Sequence, residues 1–178
     1  MQSHLVLVGL SGTGKTSIGR RLGVLLGRPF IDADATIETR SGRTVREIFE
    51  EDGETTFRQI EAEVMSDLLA VDQPTVIASG GGAVNVEATR KLLSEPEVLV
   101  VWLTAPPEFL ATRAVRKAHR PLLDDDPVAA LTRLAAERAG FYEEVADVTV
   151  DVYPAYAAAE KRIAKDQIAK AIAAMVTA

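Results

Sequence analysis

The chain has no cysteine, one asparagine and two histidines in 178 residues. Without cysteine there is no disulfide, no zinc-thiolate or iron–sulfur site and no thiol nucleophile, and two histidines alone do not make a transition-metal site. Positive charge is also short: 20 Lys+Arg against 26 Asp+Glu leave a net charge of -6. That balance excludes a broad basic surface for sequence-independent nucleic-acid binding. No apolar run approaches the ~18 residues of a membrane span. Leu5-Val6-Leu7-Val8 is too short for the apolar region of a signal peptide. What is present, 47% hydrophobic and 26% charged residues, is ordinary for a globular protein. We therefore expect one cytoplasmic domain over residues 1–178, a monomer with no nucleic-acid or membrane partner.

Apolar periodicity alternates along the chain. Leu5–Val8, Pro29–Ile31, Thr75–Ala78, Val98–Leu103 and Val148–Val150 read as short buried strands. Between them, Ile18, Leu22, Leu25 and Leu26 recur at helical spacing, with Gly27 as the C′ residue. Phe57, Ile60, Val64 and Leu68 mark a longer helix, and Asn85 is placed to cap one running to Leu93. Pro106-Pro107 starts a helix containing Leu110, Asp126-Pro127 opens another to about Gly140, and an alanine-rich helix ends the chain. Buried strands alternating with helices predict an α/β fold: three layers, with a central five-stranded parallel sheet flanked by helices.

Gly9-Leu10-Ser11-Gly12-Thr13-Gly14-Lys15-Thr16 matches G-x-x-x-x-G-K-[ST] between a strand and a helix. Glycines let successive N–H groups turn onto phosphate oxygens, the lysine reaches the β- and γ-phosphates, and the threonine hydroxyl ligates Mg²⁺. The helix N-terminus adds partial positive charge. This predicts a P-loop nucleotide site using Gly12, Thr13, Gly14, Lys15, Thr16 and Ser17, with Mg²⁺ as cofactor. A GTPase switch lacks support, because its Asn-Lys-x-Asp element cannot be built from Asn85-Val86. A small-molecule kinase is the better class.

Other candidates each have two readings. Asp32 and Asp34 close the second strand, where open α/β sheets bind ligands. On an extended segment they point the same way, one toward Mg²⁺ through water and the other toward a substrate hydroxyl. They equally suit a solvated loop or helix cap. Arg58 serves a substrate or pairs with Glu54 or Glu61 on a helix surface, and Arg138 has a similar solvated alternative beside Glu137. Gly80-Gly81-Gly82 is a close-approach element or a flexible strand exit. Phe49 and Phe57 read as core more readily than as a substrate wall, Trp102 reads as core, and His4 as an exposed terminus. Arg113, Arg116, Lys117 and Arg120 form an acid-free run before Pro121-Leu122-Leu123, either a solvated face or a lid.

Taken in order, Gly9–Thr16, Asp32-x-Asp34, Phe57-Arg58, Ser79–Gly82, Arg120–Leu123 and Glu137-Arg138 with Tyr142 resemble shikimate kinase. The resemblance implies a P-loop NTPase fold with a mobile lid at about 113–125 and substrate-binding helices at about 34–62. It implies transfer of the ATP γ-phosphoryl group to the 3-hydroxyl of shikimate, giving shikimate 3-phosphate and ADP on the route to chorismate and the aromatic amino acids. By the same resemblance Lys15, Asp34 and Arg120 are catalytic. Asp34, Arg58, Gly80, Gly81, Gly82 and Arg138 bind shikimate, while Arg113, Arg120 and Pro154 join the phosphate loop on ATP. Thr16 ligates Mg²⁺ directly, with Asp32 and Ser79 acting through water. A related small-metabolite kinase such as gluconate kinase, and a non-catalytic nucleotide-binding regulator, are the alternatives; the first lacks the paired arginines and the second lacks a use for Lys15, Asp34 and Arg120.

Overall fold

A computed structural model describes residues 4–114 and 126–177. Five strands, β1 (His4–Val8), β2 (Phe30–Asp32), β3 (Thr75–Ala78), β4 (Val98–Thr104) and β5 (Val148–Asp151), form one sheet in the order β2-β3-β1-β4-β5. Every pairing is parallel, so each connection must cross a face of the sheet. The crossings are made by α1 (Lys15–Leu26), α2 (Ala33–Ser41), α3 (Val45–Leu69), α4 (Glu87–Leu93), α5 (Pro107–Ala114) and α6 (Pro127–Val145). The chain then continues through α7 (Tyr153–Ala158) and α8 (Lys161–Thr177).

Alternate residues of β1 feed two cores. Val6 and Val8 pack under α2, α3 and α6 with Ile37, Ile48, Val64 and Leu131. Leu5 and Leu7 pack with Ile18 and Leu22 of α1 and Ile168 and Ile172 of α8. Both faces are covered, which is why the strands read as continuous apolar runs. The order 2-3-1-4-5 splits the crossovers beside β1, so the loop after β1 lies at a topological switch point. No helix among the described residues is long and apolar enough to cross a membrane.

Several local expectations are corrected. His4 is not exposed: it opens β1 at 2% exposure, with Nε2 2.9 Å from the Val71 carbonyl. Asn85 ends a 3₁₀ turn (Ala83–Asn85), and α4 starts after Val86 without a side-chain cap. α6 runs through Gly140 to Val145, because Leu131, Leu134, Arg138, Tyr142 and Val145 keep one buried face across the glycine. The helix that Phe57, Ile60, Val64 and Leu68 mark is longer than those residues, starting at Val45 behind the N-cap Thr44, which forms a capping box with Glu47, and it is broken by a kink at Gly53 (φ 83°). Asp32-Ala33-Asp34 is not extended: Asp32 ends β2 and caps α2, accepting from the Ala35 N–H, while Asp34 lies in the first helical turn.

Candidate active site

The turn after β1 delivers Gly12, Gly14, Lys15, Thr16 and Ser17 to a cavity of about 350 Å³. The C-terminal ends of β2 and β3 bring Asp32, Asp34, Ser79 and Gly81 to the same cavity, and the last turn of α5 brings Arg113. Lys15 curls over the loop, donating to the carbonyls of Gly9 (2.6 Å) and Leu10 (3.1 Å). The Thr16 hydroxyl donates to Asp32 Oδ2 at 2.6 Å. Asp32 thus both caps α2 and faces the phosphate loop, so the cap reading and the site reading hold together. Thr13 is fully buried and bonds the Leu10 carbonyl at 2.9 Å, stabilising the loop from behind.

Beside the cavity, the loop after β3 is wrapped by charged side chains. Arg58 donates to Glu61 (2.6 Å) and to Glu54 (3.0 Å), so the predicted helix pairing is present. The Glu54 arm is a surface pairing, with Glu54 45% exposed, but the Glu61 arm is not: the side chains of Arg58 and Glu61 are 13% and 1% exposed. Phe49 and Phe57 flank the guanidinium, with ring centroids 5.7 and 5.2 Å from Cζ. Phe57 is core and Phe49 packs half-buried against it. Arg138 is buried rather than solvated, and donates to the Gly81 carbonyl at 2.8 Å; Tyr142 donates to the same oxygen at 2.6 Å. Trp102 stacks on Tyr142 at 5.3 Å.

Gly80 and Gly82 are explained by space. A Cβ at Gly82 would run into the Arg58 guanidinium. One at Gly80 would meet Glu61 Oε1 and stand 2.9 Å from Asp34 Oδ1. The glycine run is therefore a close-approach element that lets two arginines and two carboxylates converge on one backbone segment. Burial pushes the Glu61 carboxyl up to about 7; Arg58 opposes the rise and Asp34 adds to it. Burial likewise pushes the Tyr142 phenol up to about 12, with Arg138 opposing. Glu61 Oε1 and Arg138 Nε are both buried without a hydrogen-bond partner. Such orphaned groups of opposite character in one cluster suit a site that a polar ligand completes.

The remaining predicted residues fall elsewhere. Pro154 lies on the exposed side of α7 and does not line the cavity; Tyr156, two residues on, packs against Arg113 instead. Arg120, with Arg116 and Lys117, falls in residues 115–125 of the expected lid at about 113–125, and these lie outside the described residues. Three cations that sequence reasoning passed over, Arg20, Lys161 and Lys165, also line the cavity. Lys161 and Lys165 stand one helical turn apart at the start of α8, a spacing that reads equally as a solvated face.

A family model described as shikimate kinase matches residues 11–175. The shikimate kinase of Nitrobacter winogradskyi is 50% identical over 147 residues, covering 82% of this chain and 67% of that protein. That of Symbiobacterium thermophilum is 47% identical over 150 residues, covering 83% of this chain and 85% of that protein. The solved structure of shikimate kinase from Acinetobacter baumannii in complex with shikimate has a TM-score of 0.88 at 35% identity, covering 99% of this chain and 94% of that one. With its parallel sheet and phosphate loop, the chain belongs to the shikimate kinase family, enzymes that transfer phosphate from ATP to shikimate.

Proposed function

We propose that this chain phosphorylates the 3-hydroxyl of shikimate, releasing ADP and shikimate 3-phosphate, with named residues in the following roles. The observation that carries the reading is the adjacency of a phosphate cavity to a buried arginine pair: Gly81 lines the cavity and accepts from Arg138, while Gly82 abuts Arg58. A phosphoryl donor and a small carboxylate-bearing acceptor suit two such neighbouring sites. Guanidinium groups take a carboxylate through paired hydrogen bonds, and Arg138 Nε is a buried donor awaiting an acceptor. Asp34, at the boundary of the two regions, accepts the hydrogen bond of the attacking hydroxyl and orients it toward the γ-phosphorus.

Lys15 sits at the head of α1, where its charge and the helix N-terminus act on the β- and γ-phosphates. Arg120, from the lid, adds charge to the transferring group, so that electrostatic stabilisation carries the catalysis. Arg113 stands beside the nucleotide base. For Mg²⁺ the donor set fits: Thr16, Asp32 and Ser79 offer hard oxygen ligands on one side of the cavity. Thr16 would hold the ion directly, and Asp32 and Ser79 through water. When bound, the ion neutralises charge on the phosphate oxygens.

The test is ADP release measured with shikimate, with gluconate and with no acceptor. Shikimate should accelerate release far above the other two; equal rates in all three would reject the assignment.

A further inference from the structure

Arg113 does not project freely into the cavity. Its Nε donates to the Gly12 carbonyl at 2.7 Å, which ties it to the phosphate loop. Its guanidinium lies over the Tyr156 ring, with Cζ 4.0 Å from the centroid, and 5.3 Å from the ring of Phe109, one turn back on α5. Phe109 in turn packs on two tyrosines, meeting Tyr153 edge-on at 5.2 Å and Tyr156 at 5.6 Å. Both tyrosines come from α7, inserted between β5 and α8. Tyr156 reaches the loop itself, with its hydroxyl 2.9 Å from where a Cβ on Gly14 would stand. Arg113 lines the cavity and Tyr156 does not, so the guanidinium lies between the ring and the open space.

We propose that Tyr156 is a positioning residue for the nucleotide base: its ring fixes the Arg113 plane beside Gly14, and a heteroaromatic base stacks on the cavity side of that plane. The inference rests on the nucleotide reading of the cavity. A guanidinium is a planar π-system that stacks on flat rings from either side, and a ring already seated below it reduces the freedom lost when a base arrives above. The hydroxyl plays no part in this. It is buried against the Arg113 guanidinium outside good hydrogen-bond geometry, so its removal should leave stability unchanged.

The experiment compares Tyr156→Leu and Tyr156→Phe with the unaltered chain, using ATP and inorganic tripolyphosphate as probes. Tyr156→Leu should weaken ATP binding roughly tenfold, the range of a partly desolvated cation–π contact. Its tripolyphosphate affinity, shikimate KM and kcat at saturating ATP should stay within about twofold. Tyr156→Phe should restore ATP binding and melt no lower than the unaltered chain. The proposal is overturned if Tyr156→Leu binds ATP normally, if it loses tripolyphosphate as strongly as ATP, or if Tyr156→Phe behaves like Tyr156→Leu. An unaltered chain that binds ATP no better than tripolyphosphate would overturn the nucleotide reading beneath it.

Discussion

Glu61 makes the stability of this protein depend on pH in a direction opposite to that of most carboxylates. Its side chain is 1% exposed, and burial raises its carboxyl from 4.5 to about 7 despite the ion pair with Arg58. The folded state therefore holds this proton more tightly than the unfolded chain. The stabilisation is fully present below about pH 4.5 and is lost as pH rises through about 7. At roughly 1.4 kcal/mol per pH unit over that interval, the group withdraws about 3 kcal/mol. Glu47, Asp52 and Glu87 are held below the ordinary carboxylate range by backbone or side-chain partners and work in the other direction, so stability measured on one protein mixes signs. The comparison with Glu61→Gln removes them, because they are common to both chains. Chemical denaturation at intervals from about pH 5 to about pH 8.5 should show the unaltered protein losing about 2.5 kcal/mol more than the variant across the window. Parallel curves for the two proteins would refute the assignment of a buried, proton-retaining carboxyl at this position.

Two substitutions separate binding from chemistry. Gly82→Ala places a methyl group against the Arg58 guanidinium, and should raise the shikimate KM about tenfold or more while leaving the ATP KM within about twofold; equal effects on both would show general disruption. Asp34→Asn keeps the shape at the head of α2 and removes the charge, so kcat should fall by about 100-fold while shikimate affinity changes only a few-fold. Full turnover in that variant would remove Asp34 from its proposed role.

The sheet was legible because burial on both faces leaves little room for polar residues, and all five strands stand within a residue or two of their apolar runs. The phosphate loop was legible for a different reason: its chemistry dictates residue types at fixed spacing. Asp126 shows the same legibility at smaller scale, capping α6 through the Ala129 N–H at 3.0 Å. What stayed hidden depends on contacts distant in sequence. An acid three residues after an arginine on a helix reads as a solvated pair, and only the loop after β3, folded over Glu61, makes it a buried one. His4 is masked by a carbonyl from the turn after α3, 67 residues away. Gly140 looked like a helix end because local propensity carries no knowledge of the buried face that continues to Val145. Tyr156 had no signal at all, since its place over Arg113 follows from how α7 docks on α5.

A chain of net charge -6 handling two anionic substrates poses an electrostatic question that the geometry resolves. Arg40 on α2, Arg43 in the turn between α2 and α3, and Arg46 on α3 are paired with carboxylates, so their charges are locally offset. The cleft is arranged differently. Arg113 and Arg138 are held at hydrogen-bond distance by the backbone carbonyls of Gly12 and Gly81, and among the described residues neither forms an ion pair within 4 Å. A carbonyl dipole orients a guanidinium without cancelling its charge, so an arriving anion meets a positioned cation and need not displace an acid. Arg58 is the exception, shared between Glu54 and Glu61, and burial raises the Glu61 carboxyl to about 7, so that this partner is only partly ionised at neutral pH. Anion binding here follows from which groups hold the cations in place, a property to which the total charge of the chain is blind.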